Sequence, residues 1–297
     1  MLHSGLAVLD QVWILDALPP RAGKQASRDF RASGGGIAAT AAVAVAALGG
    51  RACWHGPVGS DEAGAHLLAL LGRHGVDTAG VVPSQGGRTP VAGVFVDAAG
   101  ERMIAVFTGA GLFDTPRFDD AWLDGAGAVM CDPRWPQGSA RLLRLAAARG
   151  LPRVLDGEMN NAAAVRDLAP LADHVVFSRG GLAEFSAMED PSAGLAAAAA
   201  CLPHATVAVT LGERGSLWWR EGAAQTLSAP RIAARDTTGC GDVFHGAYAL
   251  ALAEGRDVPA AARFATAAAS LKAARGDGWD GMPTRIAVEA LLAEIWT

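Results

Sequence analysis

The chain has 297 residues, a formal net charge of −5 and a sequence pI near 5.8, and 51% of its residues are hydrophobic. This length suits one large α/β domain or two smaller ones, and either leaves room for a sizeable core. The acidic balance, with no cluster of Lys and Arg, argues against nucleic acid as a partner. Charges or runs of glycine interrupt every apolar stretch of about 18 residues, so no membrane span is predicted.

The N-terminal segment and the cysteines indicate a reducing, cytoplasmic setting. Asp10 and Asp16 interrupt the apolar N-terminal segment, which has no basic n-region or cleavage site; we interpret it as a buried first strand, not a signal peptide. The cysteines are far apart and form no C-x-x-C pair, so neither a zinc site nor a disulfide framework is predicted. They are Cys53, Cys131, Cys201 and Cys240.

In chain order, the first elements are strand-like segments and two helices. The pattern predicts a helix over 37–48, ended by two glycines, and a second over 61–74, with Ser60 as its N-cap and Gly75 just beyond its end. Residues 11–33 and 88–108 look like strands outside the main alternation. The second of these contains a hairpin with its turn at 98–100.

From about residue 127 onward, apolar strand-length runs alternate with helix-length segments. This βαβ rhythm is typical of a parallel sheet whose two faces are covered by helices. The strand-like runs are 127–132, 153–156, 174–178 and 205–212. The sequence therefore predicts an α/β fold.

The strongest chemical signal is the run from Asp236 to Asp242, which reads D-T-T-G-C-G-D and leads into a helical pattern. Glycines at 239 and 241 let the backbone approach a ligand, and the unpaired N–H groups of the first helical turn favour an anion. Asp242 could then accept a proton from a hydroxyl that attacks a phosphoryl group. A well-capped helix start would be enough to explain a bare G-x-G-D motif, but in this chain the pattern extends over seven positions, 236–242.

This run, together with the glycines at 34–36, resembles the two signatures of the PfkB-type, or ribokinase-like, carbohydrate kinases. That family usually has D-T-x-G-A-G-D, so Cys240 replaces an Ala. The resemblance implies a three-layer αβα ribokinase-like sandwich with a mostly parallel central sheet and a small β lid. It implies one kinase domain over 1–297, with lid segments at about 11–33 and 88–108. ATP and Mg would be the cofactors, and a small sugar hydroxyl would be the acceptor.

The resemblance also implies roles for individual residues. Asp242 would be the base, next to the anion hole of Gly239, Cys240 and Gly241. The sugar would be held by Asp10, Gly35, Gly36 and Thr40, where Thr40 replaces a family Asn, and the nucleotide by Thr210, Gly212, Gly215 and Thr237. From the residues alone, tight helix packing explains the glycines at 34–36, and simple turns explain Asp10 and the segment 210–215.

One expected motif is missing. The family commonly carries N-x-x-E near Mg and phosphate, and this chain has Ser178 to Gly181 there, which leaves the metal ligands unassigned. Glu184, three residues further on, is an open candidate for the acidic role. No Walker-type G-x-x-x-x-G-K-[ST] loop exists, so a P-loop NTPase is disfavoured.

Within the family, several segments resemble those of sulfofructose kinases and related ketohexose kinases. They are the two signatures and the segments 132–135, 155–157 and 178–182. Arg134 could bind a sulfonate, phosphate or carboxylate through two parallel hydrogen bonds, or could be a plain surface cation. Those enzymes carry a lid Asn where this chain has Val106. Lys24 could compensate for the missing Asn, or could be a solvated lid residue. His245 is interpreted as a helix-packing residue.

Two other functions stay open: a nucleoside kinase of the same fold, and a catalytically silent sugar or nucleotide sensor. The partner is expected to be a small-molecule sugar, with no nucleic acid and no membrane. Exposed lid edges could also pair two copies into a lid-mediated homodimer.

Overall fold

A computed structural model describes residues 1–19, 23–112, 119–159 and 161–296. Residues 20–22, which fall inside the first predicted lid segment, lie outside the described residues. The strands are β1 (Leu2–Ser4), β2 (Val8–Ile14), β3 (Asp29–Gly35), β4 (Ala52–His55), β5 (Val76–Asp77), β6 (Val91–Val96), β7 (Arg102–Phe107), β8 (Val129–Cys131), β9 (Arg153–Gly157), β10 (His174–Phe177), β11 (Thr206–Thr210), β12 (Ser216–Arg220) and β13 (Ala223–Leu227). The helices are α1 (Ile37–Ala47), α2 (Glu62–Arg73), α3 (Pro136–Ala148), α4 (Ala162–Leu168), α5 (Arg179–Ser186), α6 (Pro191–Cys201), α7 (Cys240–Ala253), α8 (Val258–Arg275) and α9 (Arg285–Ile295).

The large sheet has nine strands in the order β13-β12-β11-β10-β9-β8-β1-β4-β5. Seven neighbouring strands of this sheet are parallel: β11, β10, β9, β8, β1, β4 and β5. Strands β12 and β13 are antiparallel additions at one edge. The chain leaves β1 first toward β4 and later returns to β8 on the other side. The carboxyl ends of β1 and β8 therefore flank a switch point, where ligands of such sheets bind.

Both faces of the large sheet are buried because successive side chains of each strand point to opposite sides. On β10, Val175 and Phe177 belong to the apolar cluster that includes side chains of α3 to α6. Val176 belongs to the cluster that includes side chains of α1, α7 and α8. This confirms the predicted three-layer α/β sandwich.

A second sheet of four strands, in the order β3-β2-β6-β7, is called the small sheet below. Strands β6 and β7 form the predicted hairpin, in which the Asp97 carboxylate accepts hydrogen bonds from the amides of Ala99 and Glu101. All six residues of β7 are exposed. The small sheet thus has far less core of its own than the large sheet.

Two local predictions are wrong. The first strand ends at Ser4, and Asp10 lies within β2 of the small sheet, because the chain changes sheets through 5–7. Helix α2 is capped by Asp61, whose side chain accepts from the Gly64 amide at 3.0 Å, and not by Ser60. Gly75 does follow α2 with a φ of 77°, as predicted. Within the described part of the chain, no helix is long and apolar enough to cross a membrane.

Candidate active site

A cleft of about 530 Å³ lies between the small sheet and the carboxyl ends of the strands of the large sheet. Aliphatic side chains of β2, β6 and β7 line one wall, and polar groups that follow β3, β8 and the glycine run before α7 line the other. The cleft brings together seven of the predicted site residues: Asp10, Gly35, Gly36, Thr40, Arg134, Gly239 and Asp242.

Asp132 stabilises the switch point beneath this cleft. One oxygen of its buried carboxylate accepts from the amides of Leu6 at 3.1 Å and Ala38 at 3.0 Å, and the other accepts from the amide of Arg134 at 2.7 Å. Burial raises the pKa of Asp132 to about 6, although these amides oppose the shift. Asp132 therefore fixes the loop after β1 and the start of α1 relative to β8. The sequence pattern did not predict this role for Asp132.

The glycine run opens α7 as predicted. Gly239 is the N-cap residue, with a φ of 73°, and its carbonyl accepts from the Val243 amide at 2.9 Å. The Cys240 amide donates to the Thr237 carbonyl at 3.2 Å, whereas the amides of Gly241 and Asp242 have no acceptor among the described residues. The first turn of α7 therefore offers unpaired N–H groups to an anion beside the cleft.

The Asp242 side chain lies in this first turn and lines the cleft. Burial raises its pKa to about 8, and the nearby Asp156 carboxylate adds to the shift while His245 opposes it. A carboxyl group with a pKa near neutrality is suited to general acid and base chemistry. The geometry therefore places a carboxylate that can accept a proton next to a turn whose unpaired N–H groups could bind an anion.

Asp10 and the glycines at 34–36 form the opposite corner of the cleft. Burial raises the pKa of Asp10 to about 6. A Cβ atom on Gly35 would overlap the Asp10 carboxylate, and one on Gly36, whose φ is 93°, would lie 2.8 Å from the Ala7 Cα. The absence of side chains here is thus required by the packing and also leaves the backbone open to a ligand.

Thr40 is held by a residue that the sequence did not indicate. The Trp279 indole Nε1 donates to the Thr40 hydroxyl at 3.0 Å, and the indole ring lies against Gly34. The Thr40 oxygen can still donate its own proton into the cleft. Because Trp279 is 239 residues away in sequence, no local pattern could reveal this pair.

Arg102 joins the small sheet to the glycine run. Its guanidinium donates to the Asp236 carboxylate at 2.6 Å and also to the Thr238 hydroxyl. Burial acts to raise the pKa of Asp236, but the Thr238 amide and Arg102 lower it to about 2. A second ion pair joins Arg31 on β3 of the small sheet to Asp277, just after α8, at 3.8 Å. Neither contact was predicted.

Several basic side chains line the cleft. The exposed Arg134 makes no side-chain hydrogen bond or ion pair among the described residues, which leaves it available to a ligand. Lys272 is buried at the end of α8 and donates to the Gly276 carbonyl at 3.1 Å; the sequence gave no signal for it. Val106 lines the cleft, whereas the exposed Lys24 does not.

The residues assigned to the nucleotide lie outside this cleft. Thr210 ends β11, and its hydroxyl donates to the Phe177 carbonyl at 3.4 Å. Gly212 and Gly215 have φ angles of 60° and 87° and shape the connection to β12. Thr237 is exposed just before Gly239. Thr210, Gly212 and Gly215 thus lie at or just beyond the carboxyl end of β11, and Thr237 lies before α7.

The stretch in place of N-x-x-E has a structural role. Ser178 is the N-cap of α5 and accepts from the Gly181 amide at 3.0 Å. Glu184 lies further along this helix. Within the described ranges, no group of three or more His, Cys, Asp or Glu side chains could hold a metal ion.

The sequence matches the profile described as pfkB family carbohydrate kinase over residues 5–285. A ribokinase of Bacillus subtilis (strain 168) is 30% identical over 294 residues, which cover 97% of this chain and 98% of that protein. Fructokinase-1 of Oryza sativa subsp. japonica is 26% identical over 98% of each chain.

Solved structures agree with these matches. A crystal structure of a ribokinase candidate from Agrobacterium tumefaciens is 33% identical, with a TM-score of 0.94 over 99% of this chain and 97% of that one. A ribokinase of Arabidopsis thaliana, solved with ribose and ATP, is 25% identical, with a TM-score of 0.86 over 98% of this chain and 97% of that one.

The fold and the cleft define a carbohydrate kinase, that is, a phosphotransferase with an alcohol group as acceptor. The chain belongs to the PfkB family, as the signatures at 34–36 and 236–242 predict.

Proposed function

We propose that this kinase transfers the γ-phosphate of ATP to a hydroxyl of a small sugar bound in the cleft, with Asp242 as the base. The observation that carries this proposal is the position of Asp242. It lies in the first turn of α7, beside unpaired backbone N–H groups, and burial raises its pKa to about 8. A hydroxyl above this carboxylate would face both the proton acceptor and the anion-binding turn.

The sugar would be oriented by the polar corner opposite Asp242. The Asp10 carboxylate can accept hydrogen bonds from two hydroxyls, and the Thr40 hydroxyl can donate one. Gly35 and Gly36 leave the backbone open to the sugar ring. The small sheet would act as a lid: its aliphatic wall would exclude water, so that phosphate passes to the sugar and not to solvent.

ATP would bind along the connection after β11, near Thr210, Gly212 and Gly215, with its phosphates toward Thr237 and the amides of Gly241 and Asp242. The Arabidopsis relative solved with ribose and ATP supports ATP as the donor. Mg would enter bound to the ATP phosphates, where it would neutralise charge. This fits a site in which no described cluster of side chains could hold a metal ion alone.

We further propose a ketohexose, or a derivative such as sulfofructose, as the acceptor. Fructokinases are among the relatives, and Arg134 is free at the cleft to bind an anionic substituent. A nucleoside is less well supported, because among the described residues lining the cleft only Trp279 is aromatic, and its indole is committed to Thr40. Family membership argues against a silent sensor.

We also propose a domain organisation, a cellular setting and an oligomeric state. Residues 1–297 would act as one kinase domain in a reducing cytoplasm, where Cys53, Cys131, Cys201 and Cys240 stay free thiols. Two copies would associate through the small sheet, whose edge strand β7 is exposed throughout. A monomeric mass in solution by light scattering would contradict this dimer.

The test is ADP release from Mg-ATP across a panel of fructose, sulfofructose, fructose phosphates, tagatose, ribose, 2-keto-3-deoxygluconate and adenosine. Turnover on one sugar or sugar derivative supports the kinase and names its substrate. Turnover on adenosine alone supports the nucleoside kinase. Thermal stabilisation by a sugar without ADP release from any compound would overturn the proposal in favour of the sensor.

A further inference from the structure

His245 lies one turn after Asp242 on α7 and is 2% exposed. Its Nδ1 lies 2.7 Å from the Gly241 carbonyl, and its Nε2 lies 2.9 Å from the Val176 carbonyl at the end of β10. A carbonyl oxygen only accepts hydrogen bonds, so each ring nitrogen can make its contact only if it carries a proton. A neutral ring carries a proton on only one of its two nitrogens. The lone pair of the other nitrogen would then face a carbonyl oxygen.

A carboxylate is positioned to balance the charge of a doubly protonated ring. Asp156 Oδ2 lies 3.3 Å from His245 Nδ1, and both side chains are 3% exposed. The second oxygen, Asp156 Oδ1, is buried without a partner among the described residues. A buried carboxylate without donors is costly unless a positive charge lies next to it. The two groups therefore satisfy each other.

We infer that His245 is held as an imidazolium that braces the proposed anion-binding turn against the sheet and places a positive charge next to Asp242. Its ring links the Gly241 carbonyl, in the turn that would bind phosphate, to β10, in the rigid core. Its positive charge lies one helical turn from the proposed base. His245 is thus a positioning residue, and this inference rests on the proposed role of Asp242.

The groups around Asp242 shift its pKa in opposite directions. Burial and the Asp156 carboxylate raise the pKa of Asp242, and His245 lowers it. Burial raises the pKa of Asp156 well above its ordinary value, the Glu158 and Asp132 carboxylates add to this shift, and Arg134 opposes it. The charged groups around this turn include Asp242 on α7, Asp236 before α7, Asp156 on β9, Glu158 after β9, Asp132 and Arg134 after β8, and Lys272 on α8.

The first test uses two neutralising variants and the pH dependence of kcat/KM on the sugar that wild-type protein phosphorylates. Loss of the imidazolium in His245→Gln should move the rising limb of the kcat/KM profile to higher pH by about one unit. Loss of the carboxylate in Asp156→Asn should move the same limb to lower pH. A merely structural pair would lower activity in both variants without shifting the limbs in opposite directions. Unmoved limbs, or limbs that move together, would overturn the inference.

The second test does not depend on activity or on a variant that folds. Nuclear magnetic resonance of wild-type protein with ¹⁵N-labelled histidine should show, at pH 7 to 8, one ring in which both nitrogens carry slowly exchanging protons. If every histidine ring has an unprotonated nitrogen at that pH, the imidazolium is excluded. If the doubly protonated ring is present but no sugar is phosphorylated, the proposed function fails and the state of His245 stands.

Discussion

The two sheets of this kinase are stabilised in different ways. The large sheet is covered on both faces, and the side chains of β10 enter two separate apolar clusters. In the small sheet, β7 is exposed throughout, and polar contacts of Arg102 and Arg31 join the sheet to the loops around α7 and α8. The large sheet can therefore hold reacting groups rigidly, whereas the small sheet can open when a few charged contacts break.

This comparison predicts that variants near the large sheet change kcat or stability, and that variants in the small sheet change substrate capture. The largest effect is expected for Asp242→Asn. Loss of the base should lower kcat by about 10² to 10⁴-fold while sugar and ATP still bind.

The matched variant is Asp10→Asn in the small sheet, which should raise the KM for sugar more than it lowers kcat. Steady-state kinetics of both variants and calorimetric binding of the sugar check this pair. If Asp10→Asn lowers kcat as much as Asp242→Asn does, the division of roles between the two sheets is wrong.

A large effect on stability is expected for Gly36→Ala. A side chain there would meet the backbone of Leu6 and Ala7 at a φ of 93°, so the free energy of unfolding should fall by about 3 kcal/mol. Gly72→Ala is the control, because Gly72 lies in α2 with no atom within 4 Å of an added Cβ. Urea unfolding should show no loss there; equal losses in the two variants would contradict the packing argument.

Arg102→Ala tests whether the small sheet works as a lid. Loss of its contacts with Asp236 and Thr238 should raise the KM for sugar about fivefold to tenfold and increase ATP hydrolysis in the absence of sugar. Arg88→Ala is the control, since Arg88 lies 4.5 Å over the Phe107 ring and not against the glycine run. An Arg102→Ala protein with unchanged KM and no added hydrolysis would show that these contacts do not govern closure.

The smallest effect is expected for Cys240→Ala, which restores the usual family residue. Burial raises the pKa of the Cys240 thiol to about 11, so the side chain is uncharged at neutral pH. The thiol makes a weak hydrogen bond to the Asp236 carbonyl, at 3.9 Å, and does not line the cleft, so kcat should change less than twofold. A tenfold change would assign the thiol a part in the chemistry that the geometry does not show.

The elements of the fold were largely predictable, because the alternation of strands and helices after residue 127 and the glycine run at 239–241 are local patterns. The sheet change between β1 and β2 was not, since nothing in the run from Val8 to Asp10 distinguishes a new sheet from a continued strand. The cap of α2 was misplaced by one residue, because Ser60 and Asp61 are both good capping residues.

The proposed base could be assigned from its motif, but its surroundings could not. Asp132 joins amides 126 and 94 residues away, and Arg102 reaches Asp236 across 134 residues. Such contacts depend on how the two sheets face each other, which no local pattern contains. The proposed charge on His245 rests on two carbonyl groups: that of Gly241, in the same helix, and that of Val176, which tertiary packing brings to the other ring nitrogen.

The most direct test of this account is the pH dependence of kcat/KM between pH 6 and 9.5, because that profile reports the free enzyme's essential base. Since Asp242 has a pKa of about 8, its unprotonated form increases as pH rises through that value. The wild-type rate should climb about tenfold per pH unit below pH 8 and level off above it, and Asp242→Asn should show no such rise. A wild-type rate that is level or falling over this range would contradict it.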